Sequence, residues 1–179
     1  MRTRLMRTSP LTPVLLALLF GAAGSASGRQ PNPNLLYSIS AMHSSKCLDV
    51  EGGALGNGVP VSQYDCHGGN NQQWLFTPVN DGFYRITARH SGKALTVYGG
   101  IYSTNDGIVV QQFEYNGLYN QMWSVDPVGD GYYRITARHS GRSLDIRGAL
   151  LNNGAPAQQY WFANGANQKW RLTPLVACQ

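Results

Sequence analysis

Three histidines sit at matching places in this chain: His43 before Ser44-Ser45, His90 before Ser91-Gly92, and His139 before Ser140-Gly141. Three imidazoles gathered at one point would suit zinc. Equal places in successive repeats are instead spread around the molecule, so a role in the Ser-Gly turns is expected. Carboxylates are the next candidates, because glycoside hydrolysis needs two of them roughly 5–10 Å apart. Asp49 and Asp145 fall in different repeats, and Asp65 beside Cys66 has no obvious acidic partner. No Ser-His-Asp or Cys-His arrangement stands out. The sequence therefore predicts no catalytic residue, no metal and no cofactor. What it has in abundance is Gly, Asn, Gln and Tyr, with only 13% charged residues. Amides and aromatic rings recognise neutral, hydroxyl-rich ligands by hydrogen bonding and stacking.

The N-terminal segment does other work. Arg2, Arg4 and Arg7 precede an apolar run, Val14 to Ala23, which is followed by Gly24, Ser25, Ala26 and Ser27. This order is that of a secretory signal peptide, expected over residues 1–27 with cleavage between Ala23 and Gly28. The run is too short to span a bilayer, so no membrane insertion is expected. The chain holds 14 Lys and Arg against 9 Asp and Glu. Three of those arginines lie in the leader, so residues 28–179 carry 11 against 9. The excess falls to about +2 without a basic, aromatic-interleaved run, which makes nucleic acid a poor partner. Export also places the three cysteines in an oxidising compartment. Cys47 and Cys66 are expected to pair, closing a loop that stabilises by about 3 kcal/mol in the chain-entropy model. Cys178 is left as either a free thiol or half of an intermolecular bridge.

The elements that position these residues are repeated. Residues 36–50 read LYSISAMHSSKCLDV, residues 83–97 FYRITARHSGKALTV, and residues 132–146 YYRITARHSGRSLDI. Each copy leads to a Gln-x-Trp triplet, and Trp74, Trp123 and Trp170 are 49 and 47 residues apart. Each repeat shows about four short strands: one around Ile39, Ile86 or Ile135, one around Leu48–Val50, one from Val59 to Tyr64, and one from Gln72 to Phe76. One such unit cannot bury its apolar face, but three can close around a pseudo-threefold axis and remove the exposed strand edges. The expected fold is all-β, with about twelve strands. A linker is expected over 28–36, one domain over 37–175 with repeats at about 37–80, 83–127 and 132–174, and a tail at 176–179. The three tryptophans are expected in the core.

Three Gln-x-Trp triplets in register, with Cys-Leu-Asp-Val and Asn-Gln-x-Trp at these offsets, resemble the ricin B-chain-like lectins. The resemblance runs from about Tyr37 to Pro174 and implies a β-trefoil carrying up to one sugar site per repeat. It implies an acid on the second strand, a stacking aromatic and a polar helper on the third, and an Asn before the triplet. In the first repeat these are Asp49, Tyr64, Ser62 and Asn71, with Gln72 beside Asn71; the family often has Gln where Ser62 stands. In the third repeat they are Asp145, Tyr160, Gln158, Asn167 and Gln168. The second repeat has Thr96 for the acid, with Gln111, Phe113, Asn120 and Gln121, and its acid-to-aromatic segment is two residues longer. That site is expected to be degenerate. The chemistry is sound, since a carboxylate takes two hydroxyls and a ring covers the C–H face of a pyranose.

The same residues have plainer readings: Asp49 and Asp145 as turn caps, Tyr64 and Tyr160 as packing. Gln72, Gln121 and Gln168 would then hold backbone groups that join the repeats, while Trp161 rivals Tyr160 as a stacking ring. The sequence-based expectation is a secreted, non-catalytic lectin whose partners are galactose- or xylose-type glycans. The alternative is a protein-interaction trefoil, either an inhibitor or the cell-binding subunit of a multi-subunit toxin. A dimer through Cys178 would gain avidity.

Overall fold

A computed structural model describes residues 29–175. The expected leader, 1–27, and Cys178 in the tail lie outside the described residues.

The first repeat forms β1 (Leu36–Ala41), β2 (Cys47–Val50), β3 (Val61–Tyr64) and β4 (Trp74–Pro78). The second forms β5 (Tyr84–Ala88), β6 (Ala94–Val97), β7 (Val110–Phe113) and β8 (Trp123–Gly129). The third forms β9 (Tyr132–Ala137), β10 (Ser143–Ile146), β11 (Ala155–Tyr160) and β12 (Trp170–Leu175). Alternation drives the long strands: along β1 and β9, Tyr, Ile and Ala point inward while their neighbours stay half-exposed. The fourth strands begin at the tryptophans, because the Asn-Gln pair before each one closes a single 3₁₀ turn instead.

Pairing closes the sheet. β1 pairs with β4, β4 with β5, β5 with β8, β8 with β9, β9 with β12, and β12 returns to β1. This six-strand ring leaves no free edge of its own. The remaining strands form three hairpins, β2–β3, β6–β7 and β10–β11. The hairpins meet one another through Ala155–Gln63, Pro60–Gln111 and Val109–Gln158 and cap the ring. The molecule is a β-trefoil: three equal units, one barrel, one triangular cap.

Trp74, Trp123 and Trp170 are fully buried in the core with Ile39, Ile86 and Ile135. Their indole N–H groups donate to Leu48 O, Leu95 O and Leu144 O at 2.9–3.0 Å. Each bond ties a barrel strand to its own hairpin.

The joints between repeats use residues that the sequence reading passed over. Gln63, Gln112 and Gln159 are completely buried. The Gln63 amide donates to Leu150 O and Asn152 O, that of Gln112 to Ala54 O and Gly56 O, and that of Gln159 to Ser103 O and Asn105 O. Their carbonyls accept from Ser44, Ser91 and Ser140. The three histidines work beside them. His43, His90 and His139 each turn Nε2 to Leu150 O, Ala54 O and Ser103 O, at 3.0–3.1 Å. They sit in the turns as expected, but their rings reach across to clasp the neighbouring repeat.

The Cys47–Cys66 disulfide is formed, with the Cα atoms 5.1 Å apart. In the other repeats Tyr115 and Phe162 stand where Cys66 does, and Arg85 and Arg134 stack on them at 4.9 and 4.4 Å. A cation–π pair thus fills in two repeats the space that the covalent bond leaves open beside Ser38 and Ser40.

Residues 29–35, read from sequence as a linker, lie across the open end of the barrel. Tyr84 donates its hydroxyl to Gln30 Oε1, Tyr133 donates to Arg29 O, and Tyr37 accepts from Asn32 N–H. One tyrosine from each repeat thus holds the strap.

Candidate functional site

Each hairpin presents a cavity between its strands and the loop that leads to its Gln-x-Trp triplet. In the first repeat, strand pairing sets Asp49 opposite Ser62 and Cys47 opposite Tyr64. Asp49 is only 4% exposed, whereas Tyr64 is 44% exposed at the mouth. Asn71 Nδ2 and Gln72 Nε2 both donate to Asp49 Oδ2 at 2.9 Å, and His67 Nε2 lies 3.4 Å from the same oxygen. Asp49 Oδ1 takes no hydrogen bond from the described residues, and the Ser62 hydroxyl beside it is buried without a partner. The cavity is about 580 Å³ and is lined by Asp49, Glu51, Ser62, Tyr64, His67 and Asn71. Glu51 on this wall is a second carboxylate that the sequence reading did not place near Asp49.

The third repeat repeats the plan with one difference. Asp145, 3% exposed, faces Gln158 across the hairpin, and Ser143 faces Tyr160. Asn167 Nδ2 donates to Asp145 Oδ2, and Gln158 Nε2 donates to Oδ1, both at 2.8 Å. Both acceptor oxygens are therefore engaged, and the cavity shrinks to about 430 Å³. Tyr160 is 37% exposed and lines it; Trp161 is more exposed but stands off the wall, its backbone N–H bonded to Asp106.

Gln72, Gln121 and Gln168 do similar work in all three repeats, and within a repeat rather than between repeats. Gln72 Oε1 accepts from His67 N–H and Gly68 N–H while its Nε2 also donates to Asp65 O. Gln121 accepts from Asn116 N–H and donates to Glu114 O; Gln168 accepts from Ala163 N–H and donates to Trp161 O. All three are buried, so they hold the loop that shapes each cavity and, in the first repeat, the acid itself. That position suits positioning better than touching a ligand.

In the second repeat Thr96 is buried at the acid's place. It lines the cavity of its repeat, but its hydroxyl donates to Ala94 O and accepts from Gln121, so both of its polar functions are already engaged. Asn120 is buried, where Asn71 and Asn167 are half-exposed; its Nδ2 donates to Val97 O and its Oδ1 has no partner among the described residues. The cavity is about 290 Å³, lined by Tyr98, Gln111, Phe113 and Leu118. The two extra residues fall in the Tyr98–Val109 loop, where Gly99 and Gly100 take φ near +80°.

Burial pushes the Asp49 and Asp145 carboxyls above their ordinary value of 3.8, against hydrogen bonds that pull them down, from Gln72 first in one and Gln158 first in the other. Such a carboxylate is poorly solvated and has strong acceptor capacity to offer a ligand. Among the described residues no group of three or more His, Cys, Asp or Glu is placed to hold a metal ion, and no helix is long and apolar enough to cross a membrane.

Comparison with known proteins decides the family. The model described as "Ricin-type beta-trefoil lectin domain-like" matches residues 27–113, 102–160 and 119–177. The chain belongs to that family. This ricin-type trefoil is similar to the designed threefold-symmetric protein ThreeFoil, with 47% identity and a TM-score of 0.76 over 78% of this chain and 99% of the other. It is also similar to an exo-β-1,3-galactanase from Clostridium thermocellum, with 36% identity and a TM-score of 0.77, over 81% of this chain but 31% of the galactanase. A β-agarase from Agarivorans albus is 36% identical over 72 residues, or 40% of this chain and 16% of the agarase. The ricin-type trefoil therefore spans only a small part of the curated relative that it matches. Its fold is that of ricin B-type lectins and of modules carried by glycan-degrading enzymes.

Proposed function

We propose that this ricin-type trefoil is a non-catalytic carbohydrate-binding protein with working sites in the first and third repeats. The observation that carries this is the paired arrangement Asp49–Asn71–Tyr64 and Asp145–Asn167–Tyr160. In each, a buried carboxylate is steadied by an amide at the floor of a cavity, and an exposed ring stands at its mouth. A sugar with vicinal hydroxyls satisfies the carboxylate and lays its C–H face on the ring. Ser62 and Gln158 serve as helpers, and Gln72 and Gln168 position the loops. Thr96, Gln111, Phe113, Asn120 and Gln121 form the degenerate second site. Galactose-type or xylose-type glycans are the ligands, reached after export from the cell. The galactanase and agarase similarities support a galactose-type ligand.

Each site is shallow, and a single contact of Kd about 1 mM is worth about −4 kcal/mol. Two sites on one rigid body add avidity on a polymer. Hydrolysis is not part of this reading, although Asp49 and Glu51 share a cavity wall. Reducing sugar released from galactan, agar or xylan, and lost in Glu51→Gln, would overturn it. The deciding experiment is a glycan array of the wild type beside the Asp49→Ala/Asp145→Ala double variant. A coherent glycan set bound by the first and missed by the second is expected. A folded wild type that binds nothing would reject the sugar reading.

A further inference from the structure

We propose that the third-repeat cavity prefers a sugar carrying an anionic substituent, read by Arg147, while the first-repeat cavity disfavours one through Glu51. This rests on the reading of both cavities as sugar sites, and it separates two sites otherwise built alike.

The decisive position lies two residues past the acid. It is Glu51 in the first repeat, Tyr98 in the second and Arg147 in the third. Each is the first residue beyond its strand, and each lines the cavity of its own repeat. The three cavities therefore carry at one equivalent point an anion, a ring and a cation.

Arg147 is exposed, yet it is held. Its Nε donates to Gln158 Oε1 at 2.9 Å, and its Nη2 donates to Gly107 O at 3.2 Å. Gln158 in turn donates to Asp145 Oδ1. One amide thus couples a carboxylate at the floor to a guanidinium at the rim. Nη1 has no hydrogen-bond partner among the described residues. Nor is the charge neutralised by the protein: Arg138 and Arg142 are paired with Asp81 and Asp106, but Arg147 has no ion pair among the described residues. A fixed guanidinium with unspent N–H groups is suited to an oxyanion, which it binds by charge-assisted hydrogen bonds. The floor takes hydroxyls and the rim takes the anion, so an acidic sugar satisfies both.

The first cavity inverts this. Glu51 replaces the guanidinium, Ser62 replaces the coupling amide, and Asp49 remains at the floor. Lys46, the single lysine of the repeat, is paired with Asp65 outside the cavity. His67 is the one basic side chain on the wall, and it faces Asp49. An anionic sugar there is repelled by two carboxylates, a neutral one is not.

Two ligand sources share this chemistry, a uronic acid carboxylate and a sulfate ester. The test is titration calorimetry on two full-chain variants, Asp49→Ala to leave the third site and Asp145→Ala to leave the first. The ligands are methyl galactoside against methyl galactosiduronate and galactose 6-sulfate, and methyl xyloside against methyl glucuronoside. With Asp49→Ala, at least one anionic ligand binds about 3- to 10-fold tighter than its neutral counterpart in ~10 mM salt. The preference shrinks in ~1 M salt, where the Debye length is about 3 Å. It disappears when Arg147→Gln is added and reverses with Arg147→Glu. With Asp145→Ala, the neutral sugars bind tighter. The planar carboxylate and the tetrahedral sulfate respond separately, which names the source. Equal binding of neutral and anionic sugars by Asp49→Ala, or a preference that survives Arg147→Gln, overturns this proposal and leaves the sugar reading standing. Failure of every sugar on both variants and on the wild type rejects both.

Discussion

The three repeats are alike where they touch one another and unlike where they face solvent. At the joints the same side chains recur without change: a buried glutamine with two carbonyls of the neighbouring repeat to satisfy and a histidine at one of them, each backed by a buried tryptophan bonded to a leucine carbonyl of its own repeat. In the cavities the acid becomes Thr96, the helper is Ser, Gln or Gln, and the rim residue is Glu, Tyr or Arg. Threefold closure explains the difference. A change at a joint alters the fit to two neighbours and leaves buried polar groups unpaired. A change in a cavity disturbs one loop and the water in front of it. The scaffold is thus under a common constraint, and each cavity is free to take its own ligand.

The largest effect should come from testing the sameness of the core. Trp74→Ala, Trp123→Ala and Trp170→Ala each should lose about 3–5 kcal/mol in urea unfolding. A variant that loses much less would mean that its repeat is not an equal member of the barrel. Next come the joints. Gln63→Ala, Gln112→Ala and Gln159→Ala each strand one carbonyl and a serine hydroxyl while the histidine keeps the other carbonyl, and each should lower stability by about 2–3 kcal/mol by the same measurement. Unequal losses would show that the ring of repeats has a weak seam.

The cavities offer the opposite test. Thr96→Asp places a carboxylate between amides already present, Gln121 and Asn120. Calorimetry on a galactose- or xylose-type ligand should then count three sites in place of two. No gain would place the defect of the second repeat in its longer loop and smaller cavity rather than in the missing acid. The smallest effect is that of pH. A carboxyl whose folded pKa is raised is harder to ionise in the folded chain than in the unfolded one. Asp49 and Asp145 therefore cost stability when ionised, and that cost is relieved as pH falls through their folded values, above 3.8, toward the unfolded one. Sugar affinity, which needs the carboxylate, should fall across the same window. Affinity unchanged down to pH 3.8, where a carboxyl with a raised pKa is more than half protonated, would remove the carboxylates from the binding reaction.

Much of this was legible in the residues because repetition did the averaging. A single Gln-Gln-Trp says little, whereas Trp74, Trp123 and Trp170 at near-equal spacing dictate a closed threefold body. The acids and rings, and the loss at Thr96, came instead from the resemblance to ricin B-chain-like lectins, and the structure sets Asp49 with Tyr64 and Asp145 with Tyr160 on shared cavity walls. Gln63, Gln112 and Gln159 also recur, directly before Tyr64, Phe113 and Tyr160, yet their role was missed. Strand periodicity tells which face a side chain takes, not whose carbonyl it meets across a joint. The strap at residues 29–35 was hidden for a related reason. Its prolines and asparagines read as loop, and only the assembled barrel shows three tyrosine hydroxyls waiting at its mouth. Glu51 and Arg147 carried no motif to single them out in the sequence; the hairpins set them on cavity walls.

The pairing of β1 with β12 also has a consequence in time. Leu36 meets Leu175 and Ala41 meets Trp170, so the first strand to be synthesised cannot complete its bonds until the last is made. A nascent chain that has emerged only through the second repeat holds half of a ribbon, with β1 lacking its second neighbour. Contacts that span nearly the whole sequence fold slowly. The closed ring that gives the finished molecule its protected edges therefore leaves the growing polypeptide exposed until its final strand arrives.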